Sequence, residues 1–434
     1  MLPTPRRWIP VAYRSVVVLS TSAVLTLCGC RSNSNAAPTI DAASSAASTA
    51  SSAGQASSSA TSAPAASSAL PTVSIPAAPP ASLAANEVLV GSALFAAMGS
   101  VGAVAVTRDD DVLIAPLRGS TLQPFSESGG SPAGVPFALV DGSPSAAYWI
   151  SKGRLVRRKI AEDGTVQALE VLATNAAEGT RVSAARVQNS GGSDVVVYIG
   201  GHVSREMERA AQVWVERHGS RKLSSEAGGA TSAAIVSLGG SRFAVLTLDG
   251  RTAMSPVHAT SLELEANGAP HLGEDRVVFV AGPAERNTTI TGVQSGPDPI
   301  VFLAISKDTT QFGLLSLRVG FGDGEAPSFW IDYPNGIDPA PVATTVLCGT
   351  PRVLFVRPES ASPKARRVLE IGRVDPEGKV VDRKIIAQAA SFRSVSAAPV
   401  SGSAAARSPN DKSPAGWVAY VTEAGVVAQS LQCR

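Results

Sequence analysis

Histidine is scarce in this chain: His202, His218, His258 and His271 are the only four. A zinc site needs three or four ligands. His218 and His258 fall at the ends of successive strand pairs, where a metal could bridge them, but no third ligand accompanies them. They read as exposed loop residues. The run Asp109-Asp110-Asp111 lacks the alternating acid order and distant glutamate of a calcium loop, and reads as a solvated turn. No G-x-S-x-G nucleophile elbow occurs. Ser190-Gly191-Gly192-Ser193 joins two strands rather than opening a helix, so it offers phosphate no helix N-terminus. Carboxylate pairs do the work in glycosidic chemistry, yet nothing in the spacing of the 35 acids singles out two. No catalytic residue, metal or cofactor is expected on these grounds. With 37 basic against 35 acidic residues and no basic tract, nucleic acid is not an expected partner, since phosphate binders carry a basic excess.

Cysteine is more informative. Residues 1–14 carry Arg6, Arg7 and Arg14 and no acid, and an apolar run follows from Val16 to Leu27. A basic start followed by 7–15 apolar residues is the signal-peptide pattern, and the run is shorter than the ~20 residues that span a bilayer. It ends in Leu27-Cys28-Gly29-Cys30. This resembles the lipobox of bacterial lipoproteins, in which a small residue precedes the Cys that receives the lipid. Cys30 fits, with Gly29 before it and Leu27 three positions back; Cys28 follows the bulky Leu27 and fits poorly. The resemblance implies a signal peptide over 1–29, a lipid on Cys30 and anchoring in a membrane. Arg31 in place of an inner-membrane Asp implies the outer membrane.

Of the 55 residues 31–85, 34 are Ala or Ser and six are Pro. Proline and serine runs break the helix that alanine favours. So little apolar surface cannot offset the entropy of ordering. Residues 30–85 therefore read as a lipidated cysteine and a disordered tether, with an end-to-end reach of about 40 Å.

From 86 to 434 the pattern changes to apolar runs of five to eight residues separated by turn clusters, the sign of an all-β fold. A hairpin pattern recurs near Val104, Ala147, Val196, Phe243, Val301, Val353 and Trp417. An apolar strand precedes each hairpin and a more polar one follows, giving units of four strands, A to D. Residues 158–173 align with 372–387, Gly164 falling on Gly378. Four strands per ~50 residues is the mark of a β-propeller. The chain resembles the broad WD-repeat and YVTN-like propeller group across 86–434, without any family's signature residues. Seven blades are expected, and six or eight also fit, because Arg276–Ala281 can be strand A of unit five or part of an extra blade. Two β-sandwiches are the alternative architecture. The last unit lacks a strand D, and Glu87–Gly91 is expected to fill that place against the strand near Gly425–Leu431.

In such a fold long loops carry binding. The loops Gly201–Ala210 and Pro358–Arg366 both join strands B and C, and so share one face. Arg205, Glu206, Glu208, Arg209, Lys364 and Arg366 are the candidate partner-binding residues. The expectation is a lipid-anchored binding or scaffold module of the cell envelope with a protein or polysaccharide partner. A propeller hydrolase or lyase acting on envelope or extracellular polymers is the alternative. With Cys28 removed and Cys30 lipidated, Cys348 and Cys433 remain, and an oxidising compartment lets them pair. Strand A of unit six and strand C of unit seven both end on one face, so a Cys348–Cys433 disulfide is expected.

Overall fold

The computed structural model describes residues 72–75, 81–84, 93–99, 103–108, 111–118, 121–122, 137–140, 145–161, 165, 167–187, 192–201, 208–223, 229–250, 255–282, 286–296, 299–306, 311–321, 328–331, 333–340, 342–399 and 415–433. For 81–84 and for sheet I below, only the backbone is described. Cys30, the rest of 1–71, and Glu87–Gly91 lie outside these residues.

Seven antiparallel sheets follow one another along the described chain: I over 93–122, II over 137–174, III over 183–222, IV over 230–279, V over 286–331, VI over 342–389 and VII over 392–433. Sheets I to VI each have four strands, A to D, paired in chain order. Sheet VII takes three strands from its own segment and two short ones from the N-terminal side. The A strands are Ala93–Gly99, Phe137–Val140, Ser183–Arg186, Ala230–Gly239, Arg286–Gln294, Val342–Leu347 and Phe392–Pro399. Each lies beside the next, and the last lies beside the first. Sheets arranged radially about their first strands make a β-propeller, the all-β fold that the hairpin pattern implied.

The B strands explain why the pattern was so regular. Ser145–Ser151, Asp194–Gly200, Ile300–Ser306 and Gly416–Thr422 are buried at every residue. A strand covered on both faces reads as a continuous apolar run rather than an alternating one. In sheet III, Val195, Val197 and Ile199 pack toward sheet IV, while Val196 and Tyr198 pack toward sheet II. The outer strand Val380–Ala389, by contrast, is exposed or half-buried throughout.

Three expectations need correction. Arg276 to Phe279 belong to the D strand of sheet IV, Pro270–Phe279, and strand A of sheet V is Arg286–Gln294. The C strand of sheet IV, expected to end near His258, is Val257–Leu264, beginning only after Pro256, which has no N–H to give a ladder. And the edge of sheet VII at which Glu87–Gly91 was expected is occupied by earlier residues. Ala81–Ala84 pairs with Gly425 to Ala428, and Val73–Ser74 pairs with Cys433 and Gln432. Both strands fall inside the stretch read as tether, so the folded part begins earlier than residue 86. Val73 is 2% exposed and packs against Leu347 and Leu431, and Lys384 Nζ donates to its carbonyl.

Deleting 68–84 should therefore cost about 2–4 kcal/mol, from one buried valine and a lost edge ladder. A deletion confined to 31–60 should leave the melting curve unchanged. Chemical denaturation of the two truncations checks this, and equal effects would contradict it.

Candidate functional site

The B–C turn of sheet II is Lys152-Gly153, with φ of 51° and 72°. Both values are left-handed, which a two-residue hairpin of type I′ requires. Lysine is an uncommon choice at a position that usually takes Asn, Asp or Gly. The link from sheet II to sheet III then passes through Asn175, also left-handed at 63°. Ala176 N–H donates to the Gly153 carbonyl at 2.9 Å, and Gly201 N–H donates to the Asn175 carbonyl at 2.7 Å. These bonds fasten the link between the B–C turn of sheet II and the end of strand B in sheet III.

Above this floor lies a cleft of about 1080 Å³. Sheet II and the link contribute Lys152, Arg154, Asn175 and Glu178; sheet III contributes Gly200, Glu208, Gln212 and Lys222. Gln212 is held. The buried Tyr198 hydroxyl donates to its Oε1 at 2.8 Å and lies 3.0 Å from Ser220 Oγ. A Cβ at Gly200 would collide with Nε2 and Cδ of Gln212. Glycine thus lets the amide lie across the strand, its carbonyl occupied and its N–H groups left for a ligand.

Toward the opposite face, the same pair of sheets is clamped by buried charge. Asp194, 2% exposed, accepts from Arg186 Nε at 2.6 Å and Nη2 at 3.0 Å, and from the Tyr148 hydroxyl. Burial, and then the Asp194 carboxylate, raises the Tyr148 phenol well above its ordinary range. Arg157 bridges Glu170 and Glu216 at 2.6 and 3.0 Å and lies 5.5 Å from the Trp214 ring centre. Burial works against its charge, but Glu170, Tyr148 and Glu216 outweigh burial and raise its pKa. Sheets V and VI carry a similar clamp. Tyr333 donates to Glu370 at 2.6 Å, and Arg357 Nη2 lies 2.7 Å from the same carboxylate. Burial, then Glu370, pushes Tyr333 up to about 12. The Asp194 and Arg157 groups stiffen the interface of sheets II and III, which carries the cleft, and the Glu370 group does the same for sheets V and VI.

The seven A strands around the axis carry three arginines, Arg186, Arg286 and Arg393, and no Asp, Glu, Lys, His or Cys. Hydroxyls stitch them together: Ile235 N–H donates to Ser183 Oγ at 3.1 Å, Ser237 N–H to Ser295 Oγ at 2.9 Å, and Thr344 Oγ1 to the Val293 carbonyl.

His218 and His258 do not share an end. His218 follows strand C of sheet III, with Nε2 3.1 Å from the Asn267 carbonyl. His258 starts strand C of sheet IV, with Nδ1 3.4 Å from Asp275 Oδ2. His271 is exposed, and His202, Asp109 and Asp110 lie outside the described residues. Among the described residues no three His, Cys, Asp or Glu side chains gather as a metal site.

Cys348 and Cys433 form a disulfide, with Cα atoms 5.6 Å apart. Of the candidate patch, Arg205 and Glu206 lie outside the described residues. Glu208 lines the cleft and Arg209 is half-buried beside it; Lys364 and Arg366 are exposed. Sheets IV and V stand between the two loops along the ring, so the six residues do not form one contiguous patch. Sequence reasoning passed over Lys152, Asn175, Gln212 and Lys222. The available signals were a Lys-Gly turn between apolar strands and a lone Gln in the apolar strand Ala210–Val215.

Comparison of the sequence with protein-family models and with curated proteins finds no match. Among solved structures, the fold is similar to hydrazine synthase of Kuenenia stuttgartiensis, at 10% identity and a TM-score of 0.49, covering 79% of this chain and 96% of that one. It is also similar to the Dos1 propeller, at 11% identity and a TM-score of 0.43, covering 76% and 75%. The six-bladed fucose-recognising lectin of Aleuria aurantia is similar at 11% identity and a TM-score of 0.41, covering 69% and 97%. By its own sheet arrangement, this chain is an all-β protein of the propeller class. At these identities, what the similar proteins bind or catalyse is not carried over to it.

Proposed function

We propose that the chain is a lipid-anchored, seven-bladed propeller that acts as a binding module in the cell envelope, held by Cys30 in the outer membrane. The seven sheets, the seven recurring hairpins and the adjacency of the first and last A strands support the blade count. Arg6, Arg7, Arg14, the apolar run and Leu27-Cys28-Gly29-Cys30 support the anchor. The observation that carries the binding reading is the cleft between sheets II and III, polar, rigidly floored and open on the face of the B–C loops. Its partner is a protein or a polysaccharide. The alternative of a hydrolase or lyase draws less support, because the inner strands offer arginines and hydroxyls but no acid or base.

Two acyl chains contribute about 0.8 kcal/mol per buried methylene, enough for stable anchoring without a spanning helix. Mass spectrometry of the mature N-terminus should find an acylated Cys30; a terminus elsewhere, or no acyl mass, removes the anchor from the proposal. For the binding role, the protein is captured from crosslinked envelopes. A specific partner should be retained by the native chain and largely lost by the Lys152→Glu/Lys222→Glu variant. Equal capture by both would sink the assignment to this cleft.

A further inference from the structure

Three cations of the cleft have no side-chain partner among the described residues. Lys152, Arg154 and Lys222 line it with exposed side chains, and none makes a side-chain hydrogen bond or ion pair among the described residues. They stand around neutral donors, Asn175 and the Gln212 amide that Tyr198 orients. Two carboxylates, Glu178 and Glu208, share the same lining. Among the described residues no aromatic side chain lines it, and the apolar side chains are Ala176 and Ala210.

From this set we infer that the cleft takes an acidic polysaccharide, a chain of sugars bearing carboxylates at intervals. The inference rests on the reading that the B–C face binds, and names the ligand class. Three cations against two carboxylates leave the described lining net positive, which favours negative charge on the ligand. A dense polyanion such as polyphosphate or nucleic acid would bring charge against Glu178 and Glu208 as well. A sugar acid does not, because hydroxyls separate its carboxylates, and hydroxyls can donate to Glu178 while they accept from Gln212 and Asn175. The described lining offers a neutral sugar no aromatic face to stack on, and its cations would go unused. An apolar peptide would find two alanine methyls to bury against. The size agrees, since a cleft just above the ~300–1,000 Å³ range of ligand sites suits several sugar units rather than one ion.

The test uses the mature full-length protein, with calorimetric titration of three probes: an oligogalacturonate, a maltooligosaccharide of equal length, and inorganic phosphate. The oligogalacturonate should bind, and its affinity should fall as salt rises, because exposed charges are screened within about 10 Å at 0.1 M. Replacing Lys152, Arg154 and Lys222 together by glutamine should weaken it about tenfold, the combined effect of three solvent-exposed ion pairs. Lys222→Gln alone should weaken it about twofold. All three side chains are exposed, so both variants should keep the native melting curve. No binding of oligogalacturonate overturns the inference; so does equal affinity for maltooligosaccharide, or an affinity that the triple variant leaves unchanged. Phosphate binding without oligogalacturonate binding overturns it in favour of a simple anion site. Envelope capture that depends on Lys152 and Lys222, with no oligogalacturonate binding, leaves the binding face standing and removes the ligand class. Oligogalacturonate binding alongside cleft-independent capture does the reverse.

Discussion

Replacing Asp194 by alanine is expected to destabilise the protein by about 3–5 kcal/mol, the cost of removing one partner from a buried ion pair. The Asp194 side chain is 3% exposed and that of Arg186 20%. The variant removes the carboxylate that pairs with a largely buried guanidinium and leaves the Tyr148 hydroxyl without its acceptor. Asp194→Asn keeps the volume and one acceptor, and should lose less. The clamp crosses from sheet II to sheet III, so its loss should also loosen the cleft at the other end of that interface. Urea denaturation gives the stability, and oligogalacturonate titration of the still-folded Asp194→Asn variant gives the coupling. A loss below about 1 kcal/mol for the alanine variant would put the pair among surface bridges, which contribute little.

The Cys348→Ser/Cys433→Ser variant should lose up to about 4–5 kcal/mol by the loop-entropy account, for a bridge spanning 85 residues. Cys348 sits in the two-residue turn between strands A and B of sheet VI, with φ of 57°. Cys433 ends the strand Gly425–Cys433, whose outer edge carries the N-terminal strands. The bond therefore fastens the edge at which the chain closes on itself. Thiol titration of unfolded, unreduced protein should find neither cysteine reactive, and two reactive thiols would contradict the bridge. Its interface, VI with VII, is far along the ring from the Asp194 clamp. The two destabilisations should add, as separate sites do.

How much of this was legible follows from burial. Strands such as Ile300–Ser306 are covered on both sides, so their composition alone announces them. The closing strand was hidden for the opposite reason. Thr72-Val73-Ser74-Ile75, three of whose four residues are β-branched, is an island between Pro71 and Pro76 in a long Ala/Ser background. Averaged composition erases it, although one buried valine suffices to dock it. The Cys348–Cys433 bridge was readable because it needed only strand direction, which an up-and-down sheet fixes. His258 was misplaced because Pro256 delays strand C of sheet IV, moving the residue from one end of its strand to the other. The cleft was not readable at all. It joins a B–C turn of one sheet to residues some 25 to 70 positions later, and nothing local in Lys152 or Lys222 marks them as neighbours.

The central claim is that partner contact occurs at the B–C face between sheets II and III. A photo-crosslinking amino acid placed singly at Lys152, at Lys222 and, as a control on an outer strand, at the exposed Ile385 tests it in intact cells. Crosslinks to one envelope component from positions 152 and 222, and none from 385, are the predicted result. Crosslinks from 385 with silence at 152 and 222 would contradict the account.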